Sequence, residues 1–160
     1  MKISVGADHR GVEIKASISQ WLSDQGHDVA DLGTHSTESC DYPDISHAVA
    51  NSVAQGDTDR GILVCGSGIG VSIAANKVVG VRAAHVVDSH DAEMSRRHNN
   101  ANVLCLSGDR INDKGTDYLN DILQTWTTME FEGGRHQTRV DKIEIATTQG
   151  SCHQDSSHDG

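Results

Sequence analysis

A strand of buried type runs directly into a glycine-rich turn in the middle of the chain, at GILVCGSGIG (residues 61–70). Apolar residues then return at helical spacing in VSIAANKV, so the turn is predicted to open a helix. Glycines let the backbone of such a turn approach a ligand closely, and a helix start offers free N–H donors to an anion. Because ligands of open α/β sheets bind at the carboxyl ends of strands, we predict the binding site at this turn.

Strand and helix patterns alternate over residues 1–130. Ile3 and Val5 alternate in a first strand, and apolar side chains between Ile14 and Leu22 repeat at helical spacing. Further strands are predicted in HDVADL, GILVC, VRAAHVV and NVLCLS, each separated from the next by a helical pattern. This alternation predicts a single α/β domain, a three-layer sandwich with a parallel sheet of about five strands between layers of helices.

A last helix is predicted over about residues 136–148, with Val140, Ile143 and Ala146 on it. It comes too late in the chain to pair easily with the sheet, so we expect it to pack on a partner subunit. The domain is therefore expected to span residues 1–148. Residues 149–160 show no apolar period and are expected to form a disordered polar tail.

Composition argues against several classes of protein. Thirteen basic against twenty-three acidic residues give a net charge of -10, which disfavours binding to nucleic acid or to an anionic membrane. The four cysteines form no CxxC pair, which favours a reducing compartment. No signal-type apolar region stands at residues 1–10, and no apolar run reaches the roughly 18 residues of a membrane span. We therefore expect a cytoplasmic protein.

Cys65 stands at the junction of the predicted strand and the turn. A cysteine is most often a small buried apolar residue, and that interpretation stays open here. A neighbouring helix N-terminus, however, stabilises a thiolate, which makes a thiol a competent general base. Cys40, Cys105 and Cys152 lack this setting, so we interpret them as loop, core and tail residues.

Three polar segments accompany the turn. DHR (residues 8–10) follows the first strand and should lie at the same sheet edge as Cys65, although a helix cap is an alternative interpretation. RRHN (residues 96–99) precedes the last strand, and the alternative is that its cationic side chains are stabilised by the negative end of a helix dipole. Arg135 and Arg139 stand four apart, so on one helix face both could bind a phosphate; pairing with nearby acids is the alternative.

Motifs of other chemistries are incomplete in this chain. The turn lacks the lysine of a Walker A loop. It also lacks the third glycine of a dinucleotide-binding fingerprint, and only Asp88 keeps that interpretation open. A tight turn without any ligand also stays open. The ten histidines include no HExxH, and His85, His90 and His98 lack an obvious carboxylate partner at ligand spacing. We therefore expect no metal site.

The chain resembles the ribose-5-phosphate isomerase B family in five separated blocks that occur in the same order. The blocks are GADHRG (6–11), DYPD (41–44), CGSGIGVSIAANKVVGVRA (65–83), SRRHNNANVL (95–104) and EGGRHQTRV (132–140). The same family includes galactose-6-phosphate and allose-6-phosphate isomerases. The resemblance implies a Rossmann-like fold, a homodimer or homotetramer with active sites shared between subunits, and no metal or organic cofactor.

The resemblance also implies roles for individual residues. Cys65 resembles the base that moves a proton between C1 and C2 of a sugar phosphate, through an enediolate. Ser67 and His98 resemble the pair that opens the sugar ring, and Asp8 resembles a contact to the sugar hydroxyls. The implied substrate-binding residues are His9, Tyr42, Asn99, Arg135 and Arg139, with backbone amides of Gly66, Gly68, Ile69 and Gly70 as the anion hole.

The expected reaction is therefore the interconversion of ribose 5-phosphate and ribulose 5-phosphate. Two alternatives stay open: an isomerase of allose or galactose 6-phosphate, and a noncatalytic sensor of a phosphorylated ligand that would survive loss of Cys65. Sugar length is read by pocket depth and loop shape rather than by these motifs, so the sequence does not separate pentose from hexose.

Overall fold

Five strands and seven helices make up the part of the chain that the computed structural model describes, which is residues 1–151, with side chains for residues 1–144. The strands are β1 (Lys2–Ala7), β2 (Asp28–Asp31), β3 (Arg60–Cys65), β4 (Ala83–His85) and β5 (Val103–Ser107). The helices are α1 (Val12–Asp24), α2 (Tyr42–Ala54), α3 (Ile69–Ala75), α4 (Ser89–Asn99), α5 (Gly108–Lys114), α6 (Thr116–Thr128) and α7 (Arg135–Ser151).

All strands run parallel, in the order β2-β1-β3-β5-β4. Helices α1, α4, α5 and α6 cover one face, where Ile18 and Ile122 pack with Val64. Helices α2 and α3 cover the other, where Val49 and Val71 contribute to a second apolar cluster. Every residue of β3 is buried, as expected for a central strand covered on both faces. The expected Rossmann-like three-layer α/β sandwich is confirmed.

Three boundaries differ from the sequence-based expectation. Helix α5 was not predicted, because in seven residues only Ile111 provides a buried large apolar side chain and no helical period appears. Strand β4 is short, because Asp88 already caps α4 by accepting a hydrogen bond from the Asp91 N–H at 2.8 Å. Helix α7 includes residues 149–151, which were expected in the tail; the remaining tail residues, 152–160, lie outside the described residues.

Strand β1 lies between β2 and β3 in the sheet. The chain therefore adds β2 on one side of β1 and β3 on the other, so the direction in which strands are added reverses between β1 and β3. In open α/β sheets the crevice beyond the carboxyl ends of such a strand pair is the usual ligand site. Ala7 and Cys65 end these two strands. Among the described residues, no helix has the length and apolar character needed to span a membrane.

Candidate active site

The carboxyl ends of β1 and β3 bring Asp8 next to the strand that carries Cys65. Ala7 pairs with Val64, and the Asp8 N–H donates a 3.2 Å hydrogen bond to the Val64 carbonyl. The buried Asp8 side chain accepts a 2.9 Å hydrogen bond from the Arg10 N–H. The loop after β1 is thereby fixed against the end of β3, as the shared sheet edge predicted.

The Cys65 thiol is 5% exposed, and its Sγ accepts a 3.1 Å hydrogen bond from the backbone N–H of Gly68. An N–H donor aimed at sulfur stabilises a thiolate more than a thiol. Cys105 is fully buried, and its burial, and then the neighbouring Cys65, raise the pKa of its thiol. Cys105 is therefore a core residue, as predicted.

Two backbone amides of the turn after Cys65 donate hydrogen bonds to the side chains of Cys65 and Ser67. Gly68 adopts a left-handed φ of +78° and caps α3. The next amide, that of Ile69, donates a 3.3 Å hydrogen bond to Oγ of the exposed Ser67. Two of the amides predicted for the anion hole therefore point toward side chains that are themselves predicted to act on the substrate.

Side chains from three other segments cover the glycines of this turn. A Cβ on Gly70 would lie 2.7 Å from Cζ of Tyr42, at the start of α2. A Cβ on Gly66 would lie 2.5 Å from Nη1 of Arg10, whose Nη2 forms a 2.6 Å ion pair with Asp109. Tyr42 therefore lies at the turn.

His85 covers the remaining glycine of the turn, because a Cβ on Gly68 would lie 2.9 Å from its Nε2. Nothing in the sequence pattern indicated this contact. His9 lines a separate cleft of about 150 Å³, together with Thr37 and Asn112. Its Nδ1 accepts a 3.4 Å hydrogen bond from the Cys40 N–H.

The remaining predicted site residues lie at the opposite end of the sheet. Helix α4 ends at Asn99, just before β5 begins at Val103. Val103 pairs with Gly61, whereas Ser107 pairs with Cys65, so β5 begins four residues below the end of β3. At about 3.3 Å per residue, that separation is about 13 Å along the sheet. One chain therefore does not bring His98 and Asn99 to the thiol.

His98 lies in a cluster with Glu132 and His136. The rings of His98 and His136 stack with centroids 4.2 Å apart and planes at 8°. Glu132 Oε2 lies 3.9 Å from His98 Nε2 and 3.5 Å from His136 Nε2, while Arg97 Nε donates a 2.6 Å hydrogen bond to Glu132 Oε1. The expectation that His98 lacks a carboxylate partner was wrong, because the loop after α6 brings Glu132 to it from a distant part of the sequence.

Charge in this cluster follows from its contacts. The Arg97 hydrogen bond holds the pKa of Glu132 below its usual value, so the carboxylate form is favoured. Burial, and then the charge of His98, lower the pKa of His136. Arg135 and Arg139 are exposed on the same helix, α7, so the predicted phosphate-binding residues accompany His98 rather than Cys65.

The predicted site residues thus form two groups. The thiol group, at the carboxyl edge, comprises Asp8, His9, Tyr42, Cys65, Gly66, Ser67, Gly68, Ile69 and Gly70. The histidine group, on α4 and α7, comprises His98, Asn99, Arg135 and Arg139. No role was predicted for Glu132 or His136, although both lie within the EGGRHQTRV block.

Comparison with known proteins agrees with this architecture. The chain matches the family model described as ribose/galactose isomerase over residues 3–143. It is 44% identical over 142 residues to ribose-5-phosphate isomerase B of Escherichia coli (strain K12), which covers 89% of this chain and 93% of that protein.

Two solved structures are also similar. Ribose-5-phosphate isomerase B of Clostridium thermocellum matches with a TM-score of 0.90 and 49% identity, covering 94% of this chain and 99% of that one. The enzyme of Mycoplasma genitalium with bound ribulose 5-phosphate matches with a TM-score of 0.86 and 43% identity, covering 92% and 97%. Fold, sequence blocks and overall identity agree, and the chain belongs to the ribose/galactose isomerase family.

Proposed function

We propose that this protein is an aldose–ketose isomerase that interconverts ribose 5-phosphate and ribulose 5-phosphate, with Cys65 as the general base. The observation that carries the proposal is the Cys65 thiol, which lies at the point of strand reversal and accepts the Gly68 N–H at 3.1 Å. Membership of the ribose/galactose isomerase family supports the reaction class. The Mycoplasma genitalium relative binds ribulose 5-phosphate, which supports a pentose substrate.

The proposed reaction needs a proton to move between adjacent carbons. After ring opening, the Cys65 thiolate removes the proton from C2 of the aldose, and the resulting thiol returns it to C1. A proton passes from the C2 hydroxyl to O1, so the product differs from the substrate only in proton and electron positions. Negative charge develops on oxygen in the enediolate, and amides of the 66–70 turn would stabilise that charge selectively.

The separation of the two groups of site residues supports a site shared between two chains. The thiol group has Asp8 beside the strand that carries Cys65, but the proposed ring-opening histidine and phosphate-binding arginines lie at the other end of the sheet. In a homodimer, the histidine group of one chain would complete the thiol group of its partner. Phosphate binding at Arg135 and Arg139 would then hold the reacting carbons near the thiol.

An apolar surface beside the turn supports the same assembly. Ile69 and Ile73 stand four residues apart on α3 and are 53% and 58% exposed, and Tyr42 is exposed next to them. Large apolar side chains grouped in this way are typical of a surface that a partner covers. We place this homo-oligomer in the cytoplasm, because a reducing compartment keeps the Cys65 thiol free for catalysis.

The test is turnover of ribose 5-phosphate in buffer containing EDTA, compared with turnover of allose 6-phosphate and galactose 6-phosphate. Cys65→Ala should lower turnover of ribose 5-phosphate by about 10²-fold to 10⁴-fold while the sugar phosphate still binds. Cys152→Ser is the matched cysteine control and should keep wild-type turnover.

Each of the other outcomes would support a different base, substrate or function. Unchanged turnover in Cys65→Ala would contradict the assignment of the base. Turnover of a hexose phosphate alone would keep the mechanism and replace the pentose substrate. Binding without turnover of any of the three sugars would favour the noncatalytic sensor.

A further inference from the structure

The cluster of His98, Glu132 and His136 offers three metal-binding side chains whose ligand atoms all lie within 4.8 Å of one another. We propose that these residues form a Zn²⁺ site that inhibits the enzyme by occupying His98. The inhibitory consequence rests on the proposed function, whereas the zinc site itself does not. Two imidazoles and one carboxylate are ligands that suit zinc, and three protein ligands leave a fourth position open.

The spacing of the ligand atoms fits a shared cation better than direct hydrogen bonds. Glu132 Oε2 lies 3.5 Å from His136 Nε2 and 3.9 Å from His98 Nε2, and neither contact is a hydrogen bond. Ligands bound to one zinc at about 2.0–2.2 Å in a tetrahedron lie roughly 3.3–3.6 Å from each other. Small movements would therefore bring the three atoms to coordination distance.

His136 supplies an independent reason to place a ligand here. Its side chain is 5% exposed, and its Nε2 is buried without a hydrogen-bond partner among the described residues. A buried polar atom left unpaired costs free energy, and a cation bound to its lone pair would remove that cost. The unpaired Nε2 faces the same Glu132 oxygen that the site would use.

Glu132 is already held in the form and orientation that a cation needs. Arg97 donates its Nε hydrogen bond to Oε1, which leaves Oε2 directed at the two histidines. The Glu132 N–H also donates a 3.1 Å hydrogen bond to the Arg97 carbonyl, so backbone and side chain are both fixed to α4. An anchored carboxylate of this kind is typical of the support that orients metal ligands.

One rearrangement is required. The two imidazole planes are nearly parallel, at 8°, and a metal bound in the plane of one ring lies out of the plane of the other. One ring must therefore tilt out of the stack. His98 is the ring free to tilt, because its side chain is 35% exposed at the end of α4, whereas His136 is buried.

Zinc at this site would use the His98 lone pair that ring opening of the sugar needs. The ion would also place positive charge and bulk between His98 and an incoming sugar. We therefore expect zinc to lower kcat/KM at micromolar free concentration. Mg²⁺, which prefers oxygen ligands, should have no effect.

Binding is measured by calorimetric titration of full-length protein with zinc chloride. Cys152→Ser, His153→Gln and His158→Gln are combined as the background, because these side chains could bind zinc by themselves. We expect one equivalent of zinc per chain in this background. His136→Gln should weaken that binding by at least about tenfold. The control His47→Gln, on an exposed histidine of α2, should leave it unchanged.

Circular dichroism verifies that the buried-site variant folds; if His136→Gln does not, Glu132→Gln removes another ligand at a more exposed position. Equal zinc affinity in the background and in the folded variant would overturn the proposed site.

Isomerase assays then test inhibition separately. Zinc that lowers kcat/KM in the background, with EDTA restoring it, supports the proposal, and binding without inhibition overturns the inhibitory role. Zinc binding by a chain with no isomerase activity would uphold the site and reject the proposed function.

Discussion

The backbone N–H of Gly68 and the Sγ of Cys65 are joined by a 3.1 Å hydrogen bond across a turn of three residues. The bond depends on the left-handed backbone of Gly68, at φ +78°, which a residue with a side chain rarely adopts. The imidazole of His85 and the backbone carbonyl carbon of Leu106 also lie within 3 Å of where a Cβ on Gly68 would stand. The backbone conformation of Gly68 and the packing around it therefore hold its N–H where it can donate to Sγ of Cys65.

Gly68→Ala should lower both kcat and stability. The added Cβ must move the turn, so the N–H no longer points at sulfur, and kcat should fall by about 10-fold to 100-fold, the value of one hydrogen bond to a charged group. Gly26→Ala is the matched control, because Gly26 has a φ of +80° but open space around it. The control should lose about 1 kcal/mol of unfolding free energy and keep its kcat. Equal kcat in both variants would show that the donor does not serve the thiol.

Arg135→Ala and Arg139→Ala should each weaken binding of ribose 5-phosphate by about 1.5–3 kcal/mol, because each guanidinium is proposed to bind the phosphate with charge-assisted hydrogen bonds. Calorimetry on the Cys65→Ala background measures affinity without turnover. Lys142→Ala, another exposed cation on α7, is the control and should bind normally. Normal affinity in both arginine variants would move the phosphate site elsewhere.

Arg60→Ala should destabilise the fold by about 3 kcal/mol. The buried Arg60 donates a 2.7 Å hydrogen bond to the Trp126 carbonyl at the end of α6, and its guanidinium lies 5.3 Å from the centre of the Trp126 ring. Urea unfolding measures the loss. Asp109→Asn removes an exposed ion pair, with side chains 56% and 58% exposed, and should change stability by less than about 1 kcal/mol. Similar losses in both variants would contradict the stabilising role assigned to the buried contacts of Arg60.

Stability should fall as the pH falls from about 7 to about 5, and His136 should account for part of the slope. Burial and the charge of His98 lower the pKa of His136 in the folded protein from 6.5. Below that value the unfolded chain binds a proton that the folded protein binds less readily, so acid favours unfolding. The unfolding free energy of His136→Gln should therefore vary less with pH than that of the wild type, while His47→Gln should follow the wild type. Parallel curves for all three proteins would rule out this contribution.

The fold was predictable because alternating patterns of period 2 and period 3.6 leave few arrangements for five parallel strands. The thiol group was predictable for a related reason, since residues that follow parallel strands meet at one sheet edge. The residue-level roles stay predictions, but the placement of Asp8 beside the strand of Cys65 follows from pairing that the sequence pattern implies.

The histidine group shows what linear spacing does not reveal. Within RRHN, Arg96 is buried and donates a 2.6 Å hydrogen bond to the Ala101 carbonyl, so it stabilises the end of α4. Arg97 instead binds Glu93 and Glu132. The neighbours of His98 come from the loop after α6 and from α7, and no local pattern records how those elements pack on α4. The sequence pattern singled out RRHN and the resemblance gave His98 a role, but only the structure supplied the partners of His98.

The distance between the two ends of the sheet has a consequence for inheritance. In the proposed homodimer with shared sites, chains carrying Cys65→Ala and chains carrying His98→Asn would each be nearly inactive alone, because each lacks a different one of the two residues that a complete site needs. In an equal mixture, half of the dimers would pair one of each, and one of their two sites would have both residues intact. About a quarter of wild-type activity would then return, as random pairing of a two-fold dimer requires. Two defective gene copies in one cell could thus complement each other.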